Sequence, residues 1–599
     1  MRLSGLIPRP LRHRLGLPLG QHALRSSEPW QIVLCALMGA AIGLVVVAMH
    51  EVVAWLHRAD FNLPVGEALS AGLGIDPWRI ALVPALGGLA LGLMGLMEKH
   101  FRASEIVDPI EANAIHGGRM SLVESLRLSI ATILSNAAGA SLGMEAAYSQ
   151  TGASMLSSLG QALNLRRADR RIFVAAGAGA AIAAAFNAPL AGAFYGYELV
   201  LGSYAPAALA QVAIAALTGT LAVRATIGVA PIFLVHPPPV TGVDHWDYLL
   251  FVLIGLGSAG VGTLTMRAAT WCESLLRRYQ VPRWLRPALG GALLSSIALA
   301  LPQVLGSGHG AIQMLFRHQP LLPLLALLLA GKIAASAISI GAGFRGGLFS
   351  SSLYLGCLFG AFIEKLAGTG ITLSGAEQFT CMLVGMGAMA ASIVGAPVTM
   401  VLLVLEVTGD FQVALAVLAG VVVSATITRH TFGYSFATWR FHQRGKPIRG
   451  AHDIGWIAEL TARRRMRGDT FAIRQDLPLL TLREQVPLGS RSRVFVVNDV
   501  GAYAGQIDVA LVHDTDINDA AAGLVAADLA TSSHDFLHPT QDIRAVLARF
   551  EDAELEALPV LSEDRHILGY VSEAFALRRY AQEMEKRRSA ELGERDLFK

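Results

Sequence analysis

Hydrophobic residues are concentrated in long runs between about Trp30 and Thr428, and polar residues dominate on either side. Two of these runs, QIVLCALMGAAIGLVVVAMH and LLPLLALLLAGKIAASAISI, are each 20 residues long. A helix of about 20 apolar residues spans the hydrocarbon core of a bilayer, and it satisfies its own backbone hydrogen bonds there. The pattern therefore predicts an all-α polytopic membrane protein in this part of the chain. The composition agrees, because 53% of the 599 residues are hydrophobic and only 16% are charged.

The segment before the first run is basic, and its first acidic residue is Glu28. Its arginines are Arg2, Arg9, Arg12, Arg14 and Arg25. Cytoplasmic flanks of membrane helices carry an excess of Lys and Arg, so the N-terminus is predicted to be cytoplasmic. The first apolar run is too long for a cleavable signal, so we expect it to be retained as a span. The charged C-terminal third is predicted to be cytoplasmic too, which gives a multi-pass protein of a bacterial-type inner membrane.

A repeat stands out within the membrane region. GAGAAIAAAFNAP ends at Pro189 and GMGAMAASIVGAP ends at Pro397, 208 residues later. Glu198 and Glu406 each follow the proline by nine residues. The match predicts two homologous halves with a transport site between them. The alternative is that glycine and alanine match by composition alone, since both are common in packed membrane helices.

A second pair of segments predicts helices that begin in the middle of the membrane. LGMEAA begins at Leu142 and GGLFSS begins at Gly346, and each passes from small to apolar residues. The predicted helix starts comprise Gly143, Met144, Gly346, Gly347 and Ser350. The N-terminus of a helix presents free N–H groups and a positive dipole end, which can bind an anion. An uncharged backbone site of this kind also releases its ion readily.

The acidic residues of the membrane region are candidates for function, because a carboxylate in hydrocarbon is costly. Glu145 is the leading candidate, since it stands at a predicted helix start and could occupy an anion site when ionised and leave it when protonated. The alternative is a helix-start carboxylate bound by its own backbone N–H groups. Glu198 and Glu406 are expected to accept hydrogen bonds at the repeat interface. Asp108 and Glu111 are expected to face solvent.

These residues resemble the CLC family of chloride channels and proton-coupled chloride transporters, from about Trp30 to Lys599. The resemblance lies in FNAPLAG (Phe186 to Gly192), in GMGAMAASIVGAPVT and in LVLEVTGD (Leu403 to Asp410). It implies two inverted helical repeats with broken helices. It also implies a homodimer in which each subunit has its own anion pathway through the lipid bilayer.

The resemblance also implies site residues. The family's GREGP segment is similar to Gly143–Ala147, which makes Glu145 the gating glutamate, although the arginine and the proline of that motif are absent. The GIFAP segment resembles Gly347–Ser351, so the backbone amides of Leu348 and Phe349 would bind the anion. Tyr434 corresponds to the anion-contacting tyrosine. Ser104 is the candidate for the anion-binding serine of GSGIP, for which an alternative alignment gives another residue.

One departure from the family bears on mechanism. The glutamate that supplies protons from the inside in many family transporters falls at Leu199. Leucine carries no proton, so a passive gated channel or a weakly proton-coupled exchanger is expected. A fully coupled chloride/proton antiporter is the alternative.

The C-terminal region resembles the pair of CBS modules that follows the membrane part in this family. RVFVVNDVGAYAGQID ends at Asp508 and ALPVLSEDRHILGYVS ends at Ser572, an offset of 64 residues. No cofactor is expected to be required. An adenine nucleotide could bind the pair, but the usual aspartate is absent near Ser572 to Phe575.

The predicted organisation therefore combines a membrane domain with a cytoplasmic α/β CBS pair. The predicted divisions are 1–29 (N-terminal arm), 30–440 (transmembrane domain, with halves of about 30–223 and 245–430), 441–457 (linker), 458–520 (first CBS-like module) and 528–590 (second CBS-like module).

Other function classes are disfavoured. The net charge of +3 is too small to indicate nucleic acid. The four cysteines show no metal-ligand or disulfide spacing. A CBS-regulated cation transporter would need several carboxylates around one cavity, and an intramembrane enzyme would need a nucleophile with a partner or a metal motif. Chloride or a similar small anion, membrane lipid and a second copy of the chain are the expected partners.

Overall fold

The computed structural model describes residues 28–72, 74–100, 106–204, 206–228, 245–318, 320–368, 375–444, 461–487, 489, 493–514 and 523–591. The chain divides into two compact units, residues 1–453 and 454–599. The first unit is helical and the second is α/β. The boundary between them falls inside the predicted linker, and residues 445–460 lie outside the described residues.

Within the described residues, the regular elements of the first unit are all helices. In chain order they are α1 (Glu28–Phe61), α2 (Pro77–His100), α3 (Pro109–Ala114), α4 (Leu122–Ala137), α5 (Glu145–Ala162), α6 (Arg167–Phe186), α7 (Pro189–Tyr195, continued by a π-helical turn Gly196–Leu201), α8 (Pro206–Ile227), α9 (His245–Arg278), α10 (Arg286–Ala300), α11 (His309–Arg317), α12 (Leu322–Ala342), α13 (Phe349–Ala367), α14 (Gly375–Val394), α15 (Pro397–Thr408), α16 (Phe411–Thr431) and α17 (Phe436–Gln443). Short 3₁₀ turns span Leu69–Ala71 and Pro302–Val304.

The order of helices repeats, with α1–α8 in one half and α9–α16 in the other. Helices α1 and α9 both have 34 residues. Helices α6 and α14 are related by the 208-residue offset at both ends. The predicted fold class, a helical membrane protein with repeated halves and an α/β unit after it, is confirmed.

Six helical stretches within the described residues are long and apolar enough to cross a membrane. They are Glu28–Phe61, Pro77–Glu98, Ala208–Ile227, Asp247–Arg278, Leu322–Ala342 and Phe411–Gln443. Helices α6 and α14 are more deeply enclosed, because nearly every residue of their second halves is buried.

The proline motif of each half separates two helices in the same way. Helix α6 is followed by its capping residue Asn187, which is left-handed with φ of 54°, and Pro189 begins α7. In the other half, Gly395 is left-handed with φ of 83°, and Pro397 begins α15. A left-handed residue ends a helix, and proline is well suited to the first turn of the next one. The repeated sequence therefore encodes a repeated helix break.

Glycines set the closest helix contacts. Gly152 of α5 lies against the carbonyl of Gly177 of α6, and Gly356 of α13 lies against the carbonyl of Gly385 of α14. A Cβ atom at any of these positions would collide with the backbone of the facing helix. Small residues at such crossings allow membrane helices to approach closely.

The second unit contains two similar α/β segments. Its elements are α18 (Ala462–Arg465), β1 (Ala472–Arg474), α19 (Leu479–Gln485), β2 (Arg493–Val497), β3 (Tyr503–Asp508), α20 (Val509–Val512), α21 (Ala526–Leu529), α22 (Ile543–Ala553), β4 (Ala557–Leu561), β5 (Ile567–Ser572) and α23 (Glu573–Glu591). Strand β2 pairs with β1 in parallel and with β3 antiparallel, and β4 pairs antiparallel with β5.

The 64-residue offset holds throughout this unit. It relates β2 to β4 and β3 to β5 at both ends, and the register of each antiparallel pair shifts at the same place, after Val496 and after Val560. Buried residues match as well, since Val494 corresponds to Leu558 and Ile507 to Val571. Assignment of the two segments as CBS modules stays a prediction.

Candidate anion pathway

Two helices from opposite halves begin side by side. Helix α5 begins at Glu145 and α13 begins at Phe349. Just before these starts, the N–H of Gly143 donates to the carbonyl of Gly347 at 2.8 Å, and the N–H of Gly347 donates back to Gly143 at 3.1 Å. The two helix N-termini are therefore tied together, and their positive dipole ends lie close to each other.

The Glu145 carboxylate lies against the first turn of α13. Glu145 is only 4% exposed, and Oε1 accepts a hydrogen bond from the hydroxyl of Ser350. The backbone N–H groups of Glu145 itself and of Ser350 also interact with this carboxylate. Burial of a carboxylate is costly, and these donors and the two helix dipoles offset part of that cost. The side chain thus occupies a position that suits an anion.

Cavities lie on both sides of this point. One of about 200 Å³, which we call the arginine cavity, is lined by residues that include Asp108, Arg345, Leu348, Phe349, Arg440 and Arg444. The other, of about 490 Å³, we call the histidine cavity, and it is lined by residues that include His50, His57, Arg58, Phe186, Ser307 and His309. Among the described residues, Glu145 alone lines both cavities.

An aromatic pair completes the barrier between the cavities. Phe186 lines the histidine cavity and Phe349 lines the arginine cavity. Their rings are stacked, with centroids 4.8 Å apart and planes 29° apart. The carboxylate and this ring pair therefore lie between the two cavities.

The arginine cavity carries an excess of positive charge. Arg345 precedes α13, whereas Arg440 and Arg444 lie on and just after α17. Among the described residues of its wall, the opposing charges are Glu145 and Asp108, and the Asp108 carboxylate accepts from the N–H of Ile110 at 2.8 Å. A cavity lined mainly by one sign of charge concentrates ions of the opposite sign.

The histidine cavity contains hydrogen-bonded imidazoles. His309 Nε2 lies 2.9 Å from the Ser350 hydroxyl, and its Nδ1 lies 3.2 Å from the Ser307 hydroxyl. His57 Nε2 instead lies 2.8 Å from the carbonyl of Asn136. The amide of Asn136 donates to the carbonyl of Leu142 at 3.0 Å. Asn136 therefore helps to hold the segment that leads into α5.

Glu198 and Glu406 make reciprocal contacts between the halves. Glu198 accepts from the N–H groups of Val398 and Thr399 at 3.1 and 2.9 Å, at the start of α15. Glu406 accepts from the N–H groups of Leu190 and Ala191, both at 2.8 Å, at the start of α7. Each glutamate thus caps a helix of the other half.

Comparison with known proteins identifies the family. A family model described as voltage gated chloride channel matches residues 87–429. A putative chloride channel protein ClcB-like from Ralstonia nicotianae is 32% identical over 418 residues, which cover 67% of this chain and 94% of that protein. The chain belongs to the voltage-gated chloride channel family. The voltage-gated ClC-type chloride channel ClcB of Salmonella typhi is 30% identical and covers 67% of this chain and 96% of its own length.

Solved structures share the fold of this family member. A slow cyanobacterial Cl⁻/H⁺ antiporter has a TM-score of 0.59 at 23% identity and covers 70% of this chain and 99% of its own. A eukaryotic CLC transporter has a TM-score of 0.60 at 19% identity and covers 92% and 98%. A CLC-type fluoride/proton antiporter has a TM-score of 0.56 at 20% identity and covers 68% and 97%. Because this is a family of channels and transporters, the intramembrane-enzyme alternative has no support.

Most of the residues singled out in the sequence meet at this site of the voltage-gated chloride channel fold. Gly346, Gly347, Leu348, Phe349 and Leu199 line the arginine cavity. Met144 lines the histidine cavity, Gly143 forms the backbone bridge, and Ser350 contacts Glu145. Ser104 lies outside the described residues.

Tyr434 is not brought to either cavity. It follows α16, and its hydroxyl lies 3.3 Å from Nδ1 of His442, on whose ring it also stacks. The tyrosine that does line the arginine cavity is Tyr195, whose hydroxyl lies 3.5 Å from that of Ser149. Tyr195 was not predicted from the sequence. The signal that could have identified it is its position, since it is a polar aromatic residue in an apolar run, three positions before Glu198.

The prediction that Asp108 and Glu111 face solvent is wrong for Glu111, which is 1% exposed. Helix α3 packs against α6 and turns Glu111 inward, where Oε1 lies 3.5 Å from Nε2 of His116. Asp108 is half-buried at the wall of the arginine cavity.

Proposed function

We propose that this protein carries chloride or a similar small anion across the inner membrane through a pathway that Glu145 gates. The observation that supports this proposal most is the position of Glu145, buried at the paired helix starts and lining both cavities. A carboxylate there competes with a permeant anion for the same donors.

In this proposal, gating follows the charge of Glu145. When the carboxylate is ionised it binds the Ser350 hydroxyl and the backbone N–H groups of Glu145 and Ser350 and closes the pathway. When it is protonated it binds these donors less strongly, because hydrogen bonds to a charged acceptor are the stronger ones. An anion can then take its place and bind to the backbone amides of Leu348 and Phe349.

The arginine cavity supplies anions to this point. Among the described residues of its wall, Arg345, Arg440 and Arg444 outnumber the carboxylates of Asp108 and Glu145, so the local anion concentration rises above that of the bulk solution. The anion itself is bound by neutral donors, from which it can dissociate. This charge balance supports anion transport over the cation-transporter alternative.

Passive conduction or weak proton coupling is the proposed mechanism. Leu199 lines the arginine cavity at the position where a proton-carrying glutamate would be expected, and its side chain does not titrate. A fully coupled chloride/proton antiporter is the second candidate, because Asp108 places a different carboxylate in the same cavity wall.

Chloride efflux from proteoliposomes tests the gate. We expect wild-type efflux to accelerate on acidification and efflux through Glu145→Gln to be independent of pH, because the amide cannot ionise. Glu51→Gln is the matched control, since Glu51 lines the histidine cavity but belongs to α1, and it should keep the wild-type response. Wild-type efflux without pH dependence, or an unchanged response in Glu145→Gln, would remove Glu145 as the gate.

Three further features remain part of the proposal. The protein is a homodimer with one pathway in each subunit, both termini are cytoplasmic, and residues 458–520 and 528–590 are a pair of CBS modules. The resemblance to the family and the exact 64-residue repeat of strands support the modules. Adenine nucleotide is the ligand to test on them.

A further inference from the structure

A chain of hydrogen bonds leads from the histidine cavity to the Glu145 carboxylate. The Ser350 hydroxyl donates to Oε1 of Glu145. The same hydroxyl oxygen lies 2.9 Å from Nε2 of His309, whose Nδ1 lies 3.2 Å from the Ser307 hydroxyl. Ser307 and His309 line the histidine cavity, whereas Ser350 is completely buried.

The imidazole is held in place by its surroundings. Gly308 has φ of 100° and allows the chain to turn directly into α11, which begins with His309. The buried Lys332 donates from Nζ to the carbonyls of Val304 and Gly306 at 3.1 and 2.8 Å and so fixes the preceding loop. The Phe186 ring packs edge-on against the imidazole, with centroids 6.5 Å apart. These contacts keep Nε2 aimed at Ser350.

Ser350 departs from the family motif at this place. The family segment that Gly347–Ser351 resembles carries alanine where this chain has Ser350, so the connection between His309 and Glu145 depends on a hydroxyl that the resemblance does not imply. Ser351, the next residue, donates instead to the carbonyl of Ser141 at 3.1 Å.

We infer that His309 and Ser350 form a proton relay between the histidine cavity and Glu145. This inference rests on the proposed function, in which protonation of Glu145 opens the pathway. In the relay, protonated His309 gives the proton on Nε2 to the Ser350 oxygen, while Ser350 gives its own hydroxyl proton to Oε1 of Glu145. The serine hydroxyl is regenerated, the carboxylate becomes neutral, and the imidazole keeps its Nδ1 proton facing Ser307.

Other charged or titratable groups surround the relay. Those on the neighbouring elements are His50, Glu51, His57 and Arg58 of α1, Glu67, Tyr148 of α5, Lys332 of α12 and Tyr354 of α13. Of these, His57 is the closest match to His309. It lines the same cavity, but its Nε2 is engaged by the carbonyl of Asn136.

The test measures chloride efflux from proteoliposomes as a function of pH for His309→Gln and Ser350→Ala, with His57→Gln and Ser351→Ala as matched controls. Glutamine can still hydrogen-bond to Ser350 but carries no relayed proton, and alanine removes the hydroxyl. We expect both relay variants to lose the acceleration on acidification, the double variant to lose no more than either single one, and both controls to keep it.

The outcomes separate the relay from the gate. If His309→Gln keeps the wild-type pH profile while wild type transports chloride, the relay is refuted and the proposed function stands. If wild type transports no chloride, the proposed function itself fails. If Ser350→Ala does not elute from size exclusion as the wild type does, the comparison of His309→Gln with His57→Gln decides alone.

Discussion

The Glu145 carboxylate is held by neutral donors. Within the described residues it accepts from a hydroxyl and interacts with backbone N–H groups, and it forms no salt bridge with an arginine or lysine. A buried ion pair would hold the carboxylate strongly. Neutral donors hold it weakly enough for an anion or a proton to displace it, which is what a gate requires.

Glu198 and Glu406 contrast with Glu145, because each bonds two backbone N–H groups at a helix start and joins the two halves. Hydrogen bonds to charged groups contribute about 1.5–3 kcal/mol each. We therefore expect Glu198→Gln and Glu406→Gln each to lower the thermal unfolding temperature in detergent.

The control for this prediction is Glu273→Gln, because Glu273 forms an exposed pair with Arg277 one helical turn away, and such pairs contribute about 0.3–0.5 kcal/mol. A loss of stability in Glu273→Gln as large as in Glu198→Gln would contradict the assignment of Glu198 as a cap between the halves.

Some residues of the site could be found from the sequence and others could not. Glu145 and the starts of α5 and α13 could be predicted from the sequence, because the two halves repeat the same pattern of small residues. The contact between Glu145 and Ser350 joins positions 205 residues apart, and no local pattern reports it. The motif assigns Tyr434 to the site, but its hydroxyl lies 3.3 Å from Nδ1 of His442, in the last turn of α17.

The helices owe their arrangement to small residues at crossings and to proline after a left-handed residue. Both features recur at matching positions of the two halves, so the sequence repeat was sufficient to predict the halves and their broken helices. It did not predict the burial of Glu111, because the six-residue helix α3 has no periodicity long enough to define an inward face.

A substitution at a crossing should break the packing of two helices. A Cβ atom at Gly356 would collide with the carbonyl oxygen of Gly385. Both glycines belong to buried helices, whose backbone cannot move aside. We expect Gly356→Ala to reduce strongly the yield of monodisperse protein on size exclusion in detergent.

The matched control is Gly95→Ala. Gly95 also lies in a helix, but a Cβ atom added there would have no atom of another element within 4 Å. Alanine favours a helix by up to about 1 kcal/mol over glycine, so this variant should be obtained at the wild-type yield. Equal yields of the two variants would contradict the close crossing.

The whole molecule combines a helical membrane unit with an α/β unit. The alignment with the Ralstonia protein covers 94% of that protein but only 67% of this chain. The eukaryotic transporter structure covers 92% of this chain. The described residues that line the two cavities lie between His50 and Arg444, so the proposed pathway lies in the first unit.

A chain that ends at Asp453 should therefore still carry chloride. We expect it to be monodisperse and to give chloride efflux with the same pH dependence as the full-length protein, which serves as the control. A truncated protein that elutes normally but shows no efflux would mean that the second unit is required for conduction.

The most direct test of the account records chloride efflux and external pH together in proteoliposomes that hold the wild-type protein. We predict chloride efflux that Glu145→Gln makes independent of pH, with little or no uphill movement of protons, because Leu199 cannot carry a proton. Protons driven uphill in a fixed ratio to chloride would contradict a passive or weakly coupled pathway and would establish the antiporter instead.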